Sequence, residues 1–199
     1  MQSLVRYYIF NSLVKHKLHI KESGIVMKIL ETERLTLRLQ TTDDADFILE
    51  LVNDPSWLRF IGDRGVRTVE DAREYILNSI HMYEKSGFCF YLVERKEDNI
   101  PLGLCGLVKR DSLEDVDIGY AFLPKYWGKG YAYEAASATL AYSIDTLGLN
   151  RIVAITTQDN EASAKLLKKI GLKFERLVQL SNDAEELRLF SFNSDSKTL

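Results

Sequence analysis

One stretch in the second half of the chain constrains the fold most, because a strand pattern there is followed directly by a glycine turn. Large apolar side chains alternate at Val116, Ile118, Tyr120 and Phe122. This alternation is the period of a half-buried strand. Pro124 then removes a backbone donor, so we expect the strand to stop before it.

Two glycines, Gly128 and Gly130, separate this strand from a helix pattern that runs over residues 131–147. A strand end, a glycine turn and the first turn of a helix bring unpaired backbone N–H groups and the positive end of a helix dipole to one place. The sequence therefore predicts an anion site at this turn, and phosphate groups fit such a site best.

Two familiar nucleotide-binding turns do not match these residues. A P-loop requires Ser or Thr directly after Gly-Lys to hold magnesium, but Gly130 follows Lys129. A dinucleotide-binding turn requires a third Gly or Ala three residues after the second glycine, and Tyr133 stands there. The turn residues therefore argue against a nucleotide-binding module.

The stretch from Lys125 to Ala132 instead resembles the pyrophosphate-binding signature of the GNAT superfamily of acetyl-CoA-dependent N-acetyltransferases. That signature usually begins with Gln or Arg, so Lys125 departs from it. A second stretch, from Asn160 to Phe174, is similar to the Asn-x-x-Ser/Ala helix of the same family, which ends at a Gly-Phe-type turn. Both motifs occur in the family's order, separated by a predicted strand.

The opening segment Glu31-Thr-Glu-Arg-Leu-Thr-Leu-Arg38 points to the RimJ/RimL-like branch of that superfamily. The best-known members of this branch acetylate the N-terminal amines of ribosomal proteins. The resemblance covers roughly residues 28–192. It implies an enzyme that uses acetyl-CoA as cosubstrate and an amine as acceptor, by direct attack within a ternary complex and without a metal.

The resemblance also implies which residues bind acetyl-CoA. In the family, the central strand separates from the next strand, and its edge offers backbone N–H groups to the thioester carbonyl and the pantetheine amide. Asn160 has the composition of a helix N-cap, and its side chain can also donate to the pantetheine arm. The implied cofactor-binding residues are Ala121, Phe122, Leu123, Lys125, Tyr126, Trp127, Gly128, Lys129, Gly130, Tyr131, Ala132, Asn160 and Ser163.

Acyl transfer from a thioester to an amine requires an uncharged nitrogen, donors for the developing oxyanion and a proton for the departing thiolate. Ser163 matches the position from which RimL-like enzymes protonate the thiolate, whereas Leu167 stands where many other GNAT enzymes have Tyr. Asp117 matches a position often filled by Glu and is the candidate base, with a carboxylate on the wet face of a strand as the alternative. Trp57 and Phe90 come from segments that line the acceptor cleft in related enzymes, so we expect substrate contact there.

The acceptor stays open between a protein N-terminus and a small amine such as a polyamine, an amino acid or an aminoglycoside. Neutralising a lysine at pH 7 costs about 4.6 kcal/mol, whereas an α-amine costs about 1.1 kcal/mol. A chain with one weak candidate base therefore favours the α-amine. Because Leu167 replaces the usual Tyr, a CoA-binding sensor or scaffold without catalysis is the alternative function.

Length and composition fit a single domain. The net charge gives no overall positive field that would attract the protein to nucleic acid or to a membrane. The chain has 199 residues, 46% of them hydrophobic, and a net charge of −3. Cys89 and Cys105 fall in predicted strands, where we expect small core residues in a reducing cytoplasm. The three histidines lack metal-ligand spacing, so no metal is expected.

The pattern of elements predicts an α/β fold with a GNAT-like mixed, mostly antiparallel central sheet flanked by helices. We expect residues 1–26 to form an extension, residues 27–199 to form the N-acetyltransferase domain, and the protein to be a monomer or a homodimer. Predicted strands cover residues 28–39, 88–94, 102–109, 116–122, 151–157, 172–180 and 187–192. Predicted helices cover residues 41–52, 68–83, 131–147 and 160–170, with a further short helix near Trp57.

Overall fold

The structure is a computed structural model that describes residues 26–181 and 184–194. Its strands are β1 (Lys28–Glu31), β2 (Leu35–Arg38), β3 (Phe90–Arg95), β4 (Pro101–Lys109), β5 (Val116–Phe122), β6 (Arg151–Thr157), β7 (Lys173–Val178) and β8 (Leu187–Asn193). They form one eight-stranded sheet in the order β1-β2-β3-β4-β5-β6-β8-β7. All neighbouring strands are antiparallel except β5 and β6, which are parallel. The predicted mixed, mostly antiparallel sheet is therefore confirmed.

Five helices cover the sheet: α1 (Ala45–Val52), α2 (Pro55–Phe60), α3 (Val69–Ser86), α4 (Tyr131–Asp145) and α5 (Glu161–Lys169). On one face, α1 and α3 bury Ile48 and Ile76 against Leu104 of β4. On the other face, α4 and α5 bury Leu140 and Leu167 against β4, β5 and β6. The site described below lies at the end of β5, between these two layers of helices.

Two predicted elements at the start of the described chain need correction. The single strand predicted over residues 28–39 is in fact β1 and β2, which pair with each other across a turn in which the Thr32 N–H donates to the Leu35 carbonyl. The helix predicted to start at Thr41 begins as a 3-10 turn, and Ala45 is its first α-helical residue. α1 stops at Val52, and Pro55 occupies the first turn of α2.

The remaining predicted elements are present, with ends shifted by a few residues. β6 has the predicted bounds, and the two predicted strands β7 and β8 pair with each other in antiparallel fashion. Cys89 and Cys105 are buried free thiols, as expected for core residues. The predicted extension lies outside the described residues except for Val26. Of the helices in the described ranges, none has the length and apolarity needed to cross a membrane.

Candidate active site

A gap opens in the middle of the sheet where β5 and β6 separate. These strands pair only at Val116 with Ile152 and at Asp117 with Val153. β5 continues for five more residues, to Phe122, and stays paired with β4 on its other side. Among the strands of the described residues, none pairs with the second edge of this half of β5, and that edge faces the gap.

Alternation along β5 decides which backbone groups face the gap. The Leu123 N–H donates to the Leu102 carbonyl of β4 at 3.1 Å, so it is not available to a ligand. Since successive residues of a strand direct their N–H groups to opposite edges, Ala121 also bonds towards β4 and Phe122 directs its N–H into the gap. Of the three strand residues expected to offer an N–H, the geometry leaves Phe122.

The glycine turn lies directly after this edge. Gly128 and Gly130 have φ angles of +73° and +83°, which are left-handed conformations that favour glycine. The first helical bond of α4 runs from the Glu134 N–H to the Gly130 carbonyl. Among the described residues, the N–H groups of residues 128–133 have no acceptor. Consecutive free N–H groups at a helix N-terminus match the predicted anion site.

Basic and aromatic side chains surround the turn. The Lys125 ammonium pairs with Glu50 of α1 at 2.9 Å between Nζ and Oε1. Lys125 and Lys129 also lie 5.5 and 5.8 Å from the centre of the Tyr126 ring. Trp127 is half exposed, and its indole N–H donates to the Phe122 carbonyl at 2.7 Å. The turn is therefore fixed to the end of β5 and carries positive charge.

Helix α5 begins on the opposite side of the gap, at Asn160. Its Oδ1 accepts the Ser163 N–H at 3.0 Å, so the predicted N-cap is present. Within the described ranges, no group accepts a hydrogen bond from its Nδ2. The cap and a ligand contact are therefore compatible, because each uses a different atom of the same amide.

Ser163 has a hydroxyl partner that the sequence pattern did not indicate. The Tyr120 hydroxyl lies 3.0 Å from the Ser163 Oγ and 3.3 Å from the Ser163 carbonyl oxygen. Burial raises the pKa of Tyr120 well above its usual range, so this hydroxyl stays protonated. Because Tyr120 fits the apolar alternation of β5, the sequence pattern predicts a packing role for its ring and indicates nothing about its hydroxyl. Leu167 is buried in the core and offers no donor.

Asp117 is buried, with only 2% of its surface exposed, so the alternative of a carboxylate on a wet strand face is wrong. Arg110 pairs with its Oδ2 at 2.6 Å, while Oδ1 makes no hydrogen bond of normal geometry. Burial raises the pKa of Asp117 to about 6, although Arg110 acts to lower it. No sequence motif indicates Arg110, which lies on the loop after β4.

The two residues expected to contact substrate have different environments. Trp57 is only 6% exposed and packs in the core with α1 and α3. Its indole N–H is buried and has no acceptor in the part of the chain that the structure describes. Phe90 is half-buried, and its ring covers Gly119, where an added Cβ would come within 3.0 Å of the ring. Gly119 and Asp117 share a face of β5. The structure thus brings Phe90 near the candidate base and places Trp57 in the core.

The family model described as "Acetyltransferase (GNAT) domain" matches residues 34–173 of this chain. The chain belongs to the GNAT acetyltransferase family. Among curated proteins, the uncharacterized N-acetyltransferase YoaA of Bacillus subtilis is 32% identical over 152 residues, which are 76% of this chain and 86% of YoaA. This GNAT acetyltransferase is therefore similar to YoaA over most of both proteins.

Relatives also confirm the predicted RimJ/RimL-like branch. The [ribosomal protein uS5]-alanine N-acetyltransferase of Escherichia coli is 32% identical over 103 residues, which are 50% of this chain and 53% of that enzyme. The solved structure of RimL, a ribosomal L7/L12 alpha-N-protein acetyltransferase in complex with coenzyme A, has a TM-score of 0.72 and 17% identity. That superposition covers 86% of this chain and 99% of RimL, and at this identity it shows a shared fold.

In this GNAT acetyltransferase, the candidate base and acid lie on opposite faces of β5. Tyr120, two residues from Phe122, packs with the layer of α4 and α5, where it meets Ser163. Asp117 and Gly119 alternate with Ile118 and Tyr120, so they face the layer of α1 and α3. A thioester in the gap beside Phe122 would thus lie close to the hydroxyl pair. The Asp117 carboxylate lies five residues, or about 16 Å, further along the strand, at the closed end of the gap.

Proposed function

We propose that this protein transfers an acetyl group from acetyl-CoA to a primary amine by direct attack within a ternary complex. The separation of β5 from β6, directly before a turn with free N–H groups, carries the proposal. A thioester needs an open strand edge beside it, and a pyrophosphate needs a cluster of donors at the other end. Both features follow each other along nine residues of chain, between Phe122 and Gly130.

Acetyl-CoA binding uses the turn and the two walls of the gap. The N–H groups of residues 128–133 bind the pyrophosphate, and Lys125 and Lys129 add positive charge beside it. The free N–H of Phe122 binds the pantetheine arm or the thioester oxygen from the β5 side. The Nδ2 of Asn160 donates from the α5 side. Tyr126, Trp127, Tyr131 and Ala132 shape the turn.

Ser163 acts as the acid, together with Tyr120. When the amine nitrogen bonds to the thioester carbon and the carbon–sulfur bond breaks, the Ser163 hydroxyl gives a proton to the departing thiolate, directly or through water. Tyr120, which stays protonated, holds the Ser163 hydroxyl in place at 3.0 Å, and water returns to Ser163 the proton that the amine loses. Leu167 takes no part.

Asp117 acts as the base through intervening water, because its pKa of about 6 leaves the carboxylate charged near pH 7 and still able to hold a proton. A base of this strength suits an α-amine better than a lysine amine. The names of the Escherichia coli relative and of RimL, which concern an alanine and an alpha-amine of ribosomal proteins, support a protein N-terminus as acceptor. A small-molecule amine is the other acceptor class. Phe90 would contact either one, whereas Trp57 lies in the core.

Thermal unfolding with acetyl-CoA, CoA, ATP and NAD in parallel tests the cofactor. A ligand at about 100 times its dissociation constant stabilises a protein by about 2.7 kcal/mol, which is a clear rise in Tm. We expect a rise with acetyl-CoA and CoA and none with NAD. A rise with ATP or NAD alone would contradict the proposed use of the turn.

Thiol release then tests the catalysis. Acetyl-CoA is incubated with peptides that begin with a free alanine, with the same peptides N-acetylated but carrying an internal lysine, and with spermidine. We expect release with the free N-terminus, and Ser163→Ala should reduce the rate by about 10²-fold while CoA affinity stays unchanged. CoA binding without thiol release from any amine would favour the sensor or scaffold, for which the buried Leu167 is the supporting observation.

A further inference from the structure

Arg34, in the turn between β1 and β2, extends its side chain to the glycine turn at Gly128 and Gly130. The Arg34 Nε donates to the Glu134 Oε2 at 2.7 Å, and its Nη1 donates to the Lys129 carbonyl at 3.0 Å. Its guanidinium also lies 4.7 Å from the centre of the Tyr131 ring. Arg34 thus contacts three residues that are distant in sequence and that all belong to the turn or to the first turn of α4.

Glu134 is the charged group that Arg34 compensates. Its Oε1 accepts the Thr32 hydroxyl at 2.5 Å and the Arg34 backbone N–H at 2.9 Å. Although partial burial raises the pKa of Glu134, the hydrogen bonds from Thr32 and Arg34 lower it further than burial raises it. A charged carboxylate therefore stands in the first turn of α4, the helix whose N-terminus would receive a pyrophosphate.

The hydrogen bond from Arg34 to the Lys129 carbonyl fixes the orientation of the peptide group between Lys129 and Gly130. In a trans peptide the carbonyl and the following N–H point in opposite directions, and the described residues contain no cis peptide. With the Lys129 carbonyl directed at Arg34, the Gly130 N–H points away from Arg34. That N–H has no acceptor within the described ranges.

We propose that Arg34 is a positioning residue for the CoA pyrophosphate. It neutralises Glu134, which would otherwise repel the ligand, and it holds the Lys129–Gly130 peptide with the N–H directed outwards. Its Nε, Nη1 and Nη2 each contact Glu134 or Lys129, so we assign Arg34 a role that acts through the turn and not through direct phosphate contact. The inference rests on the proposed use of acetyl-CoA.

Titration calorimetry with CoA tests the inference on four proteins: wild type, Arg34→Gln, Glu134→Gln and the double variant. We expect Arg34→Gln to raise the Kd for CoA about tenfold, because the substitution leaves the Glu134 carboxylate without its ion pair near a charged ligand. Glu134→Gln alone should bind CoA about as well as wild type. The double variant should recover about half of the loss in log Kd. Repulsion between Glu134 and the ligand is then gone, but Arg34 no longer holds the Lys129–Gly130 peptide.

Arg73→Gln is the matched control, since Arg73 forms an exposed ion pair with Glu70 on α3, away from the turn. It should bind CoA like wild type. The Tm without ligand is measured for every variant, and Arg34→Lys, which keeps the charge without the planar fork, is the second variant should Arg34→Gln fail to fold. Arg34→Lys is expected to bind CoA severalfold more weakly than wild type.

The outcomes separate the two proposals. If wild type binds CoA and Arg34→Gln, or in its place Arg34→Lys, binds it equally well, the role of Arg34 is wrong and the proposed function stands. If the double variant binds no better than Arg34→Gln, compensation of Glu134 is wrong, because a purely structural loss would not be rescued by a second substitution. If wild type does not bind CoA, the proposed function fails and the inference fails with it.

Discussion

At the residue scale, burial of Asp117 raises the pKa of its carboxyl group, while the charge of Arg110 lowers it. The Asp117 pKa of about 6 in the folded protein lies above the value of about 3.9 expected in the unfolded chain. The folded state therefore holds the proton more tightly. Near pH 4 the group costs little stability, the cost grows as the pH rises towards 6, and above that it stays constant at about 3 kcal/mol.

Replacing Asp117 with Asn should remove this pH-dependent cost. Unfolding by urea at several pH values between 4 and 8 measures the free energy of unfolding of both proteins. The value for Asp117→Asn minus that for wild type should rise by about 2 kcal/mol between pH 4 and 7. Loss of the Arg110 pair adds only a constant offset. Asp111→Asn, at an exposed position on the same loop, is the control and should follow wild type. A constant difference for Asp117→Asn would contradict a raised pKa.

At the level of elements, α5 depends on Asn160 for both its start and its proposed ligand contact. Asn160→Ala removes the acceptor for the Ser163 N–H and should lower the free energy of unfolding by about 1 kcal/mol. Asn160→Ser keeps a capping oxygen and should restore that stability. Both variants lack the amide Nδ2, so both should bind CoA more weakly. Stability is measured by urea unfolding and affinity by calorimetry.

The two readouts separate the roles of Asn160. If Asn160→Ser recovered CoA affinity along with stability, the side chain would be a cap alone, and the proposed donation to the pantetheine arm would be wrong. If neither variant lost stability, the hydrogen bond to the Ser163 N–H would make no net contribution to folding.

Elements with a local signal were the ones that the sequence predicted well. The alternation before Pro124, the pair Gly128 and Gly130, and the cap at Asn160 each act within a few residues, so β5, the turn and α5 were found where they are. The break between β1 and β2 was missed, because the alternation of Leu35 and Leu37 was extended backwards through a polar turn.

Contacts between distant residues could not be predicted in the same way. The hydroxyl pair of Tyr120 and Ser163 joins residues 43 positions apart, and the contact of Arg34 with Glu134 joins residues 100 apart. Alternation places Tyr120 on a face of β5 but does not say which helix covers that face. The burial of Asp117 likewise depends on the elements that pack over it.

On the scale of the whole molecule, the sheet consists of two parts, β1 to β5 and β6 to β8, joined at the register of Val116 and Asp117 with β6. The packing of α4 and α5 connects these parts on one face through Leu140 and Leu167. On the other side, Arg59 of α2 pairs with Asp159, just before α5, at 2.9 Å. Both side chains are exposed, so this ion pair contributes about 0–1 kcal/mol and does not close the gap.

Hydrogen exchange followed by NMR measures the exchange rate of each backbone amide along β5 and so tests which of them face the gap. Without ligand, the amides of Gly119, Ala121 and Leu123, which bond towards β4, should exchange slowly, and those of Tyr120 and Phe122, which face the gap, should exchange faster. CoA should slow Phe122 and residues 128–133 together, because one ligand would occupy both the edge and the turn. Slowing at residues 128–133 with Phe122 unchanged would place the pyrophosphate on the turn but the pantetheine arm outside the gap. The thioester would then lie away from Asp117 and Ser163, and their proposed roles as base and acid would be wrong.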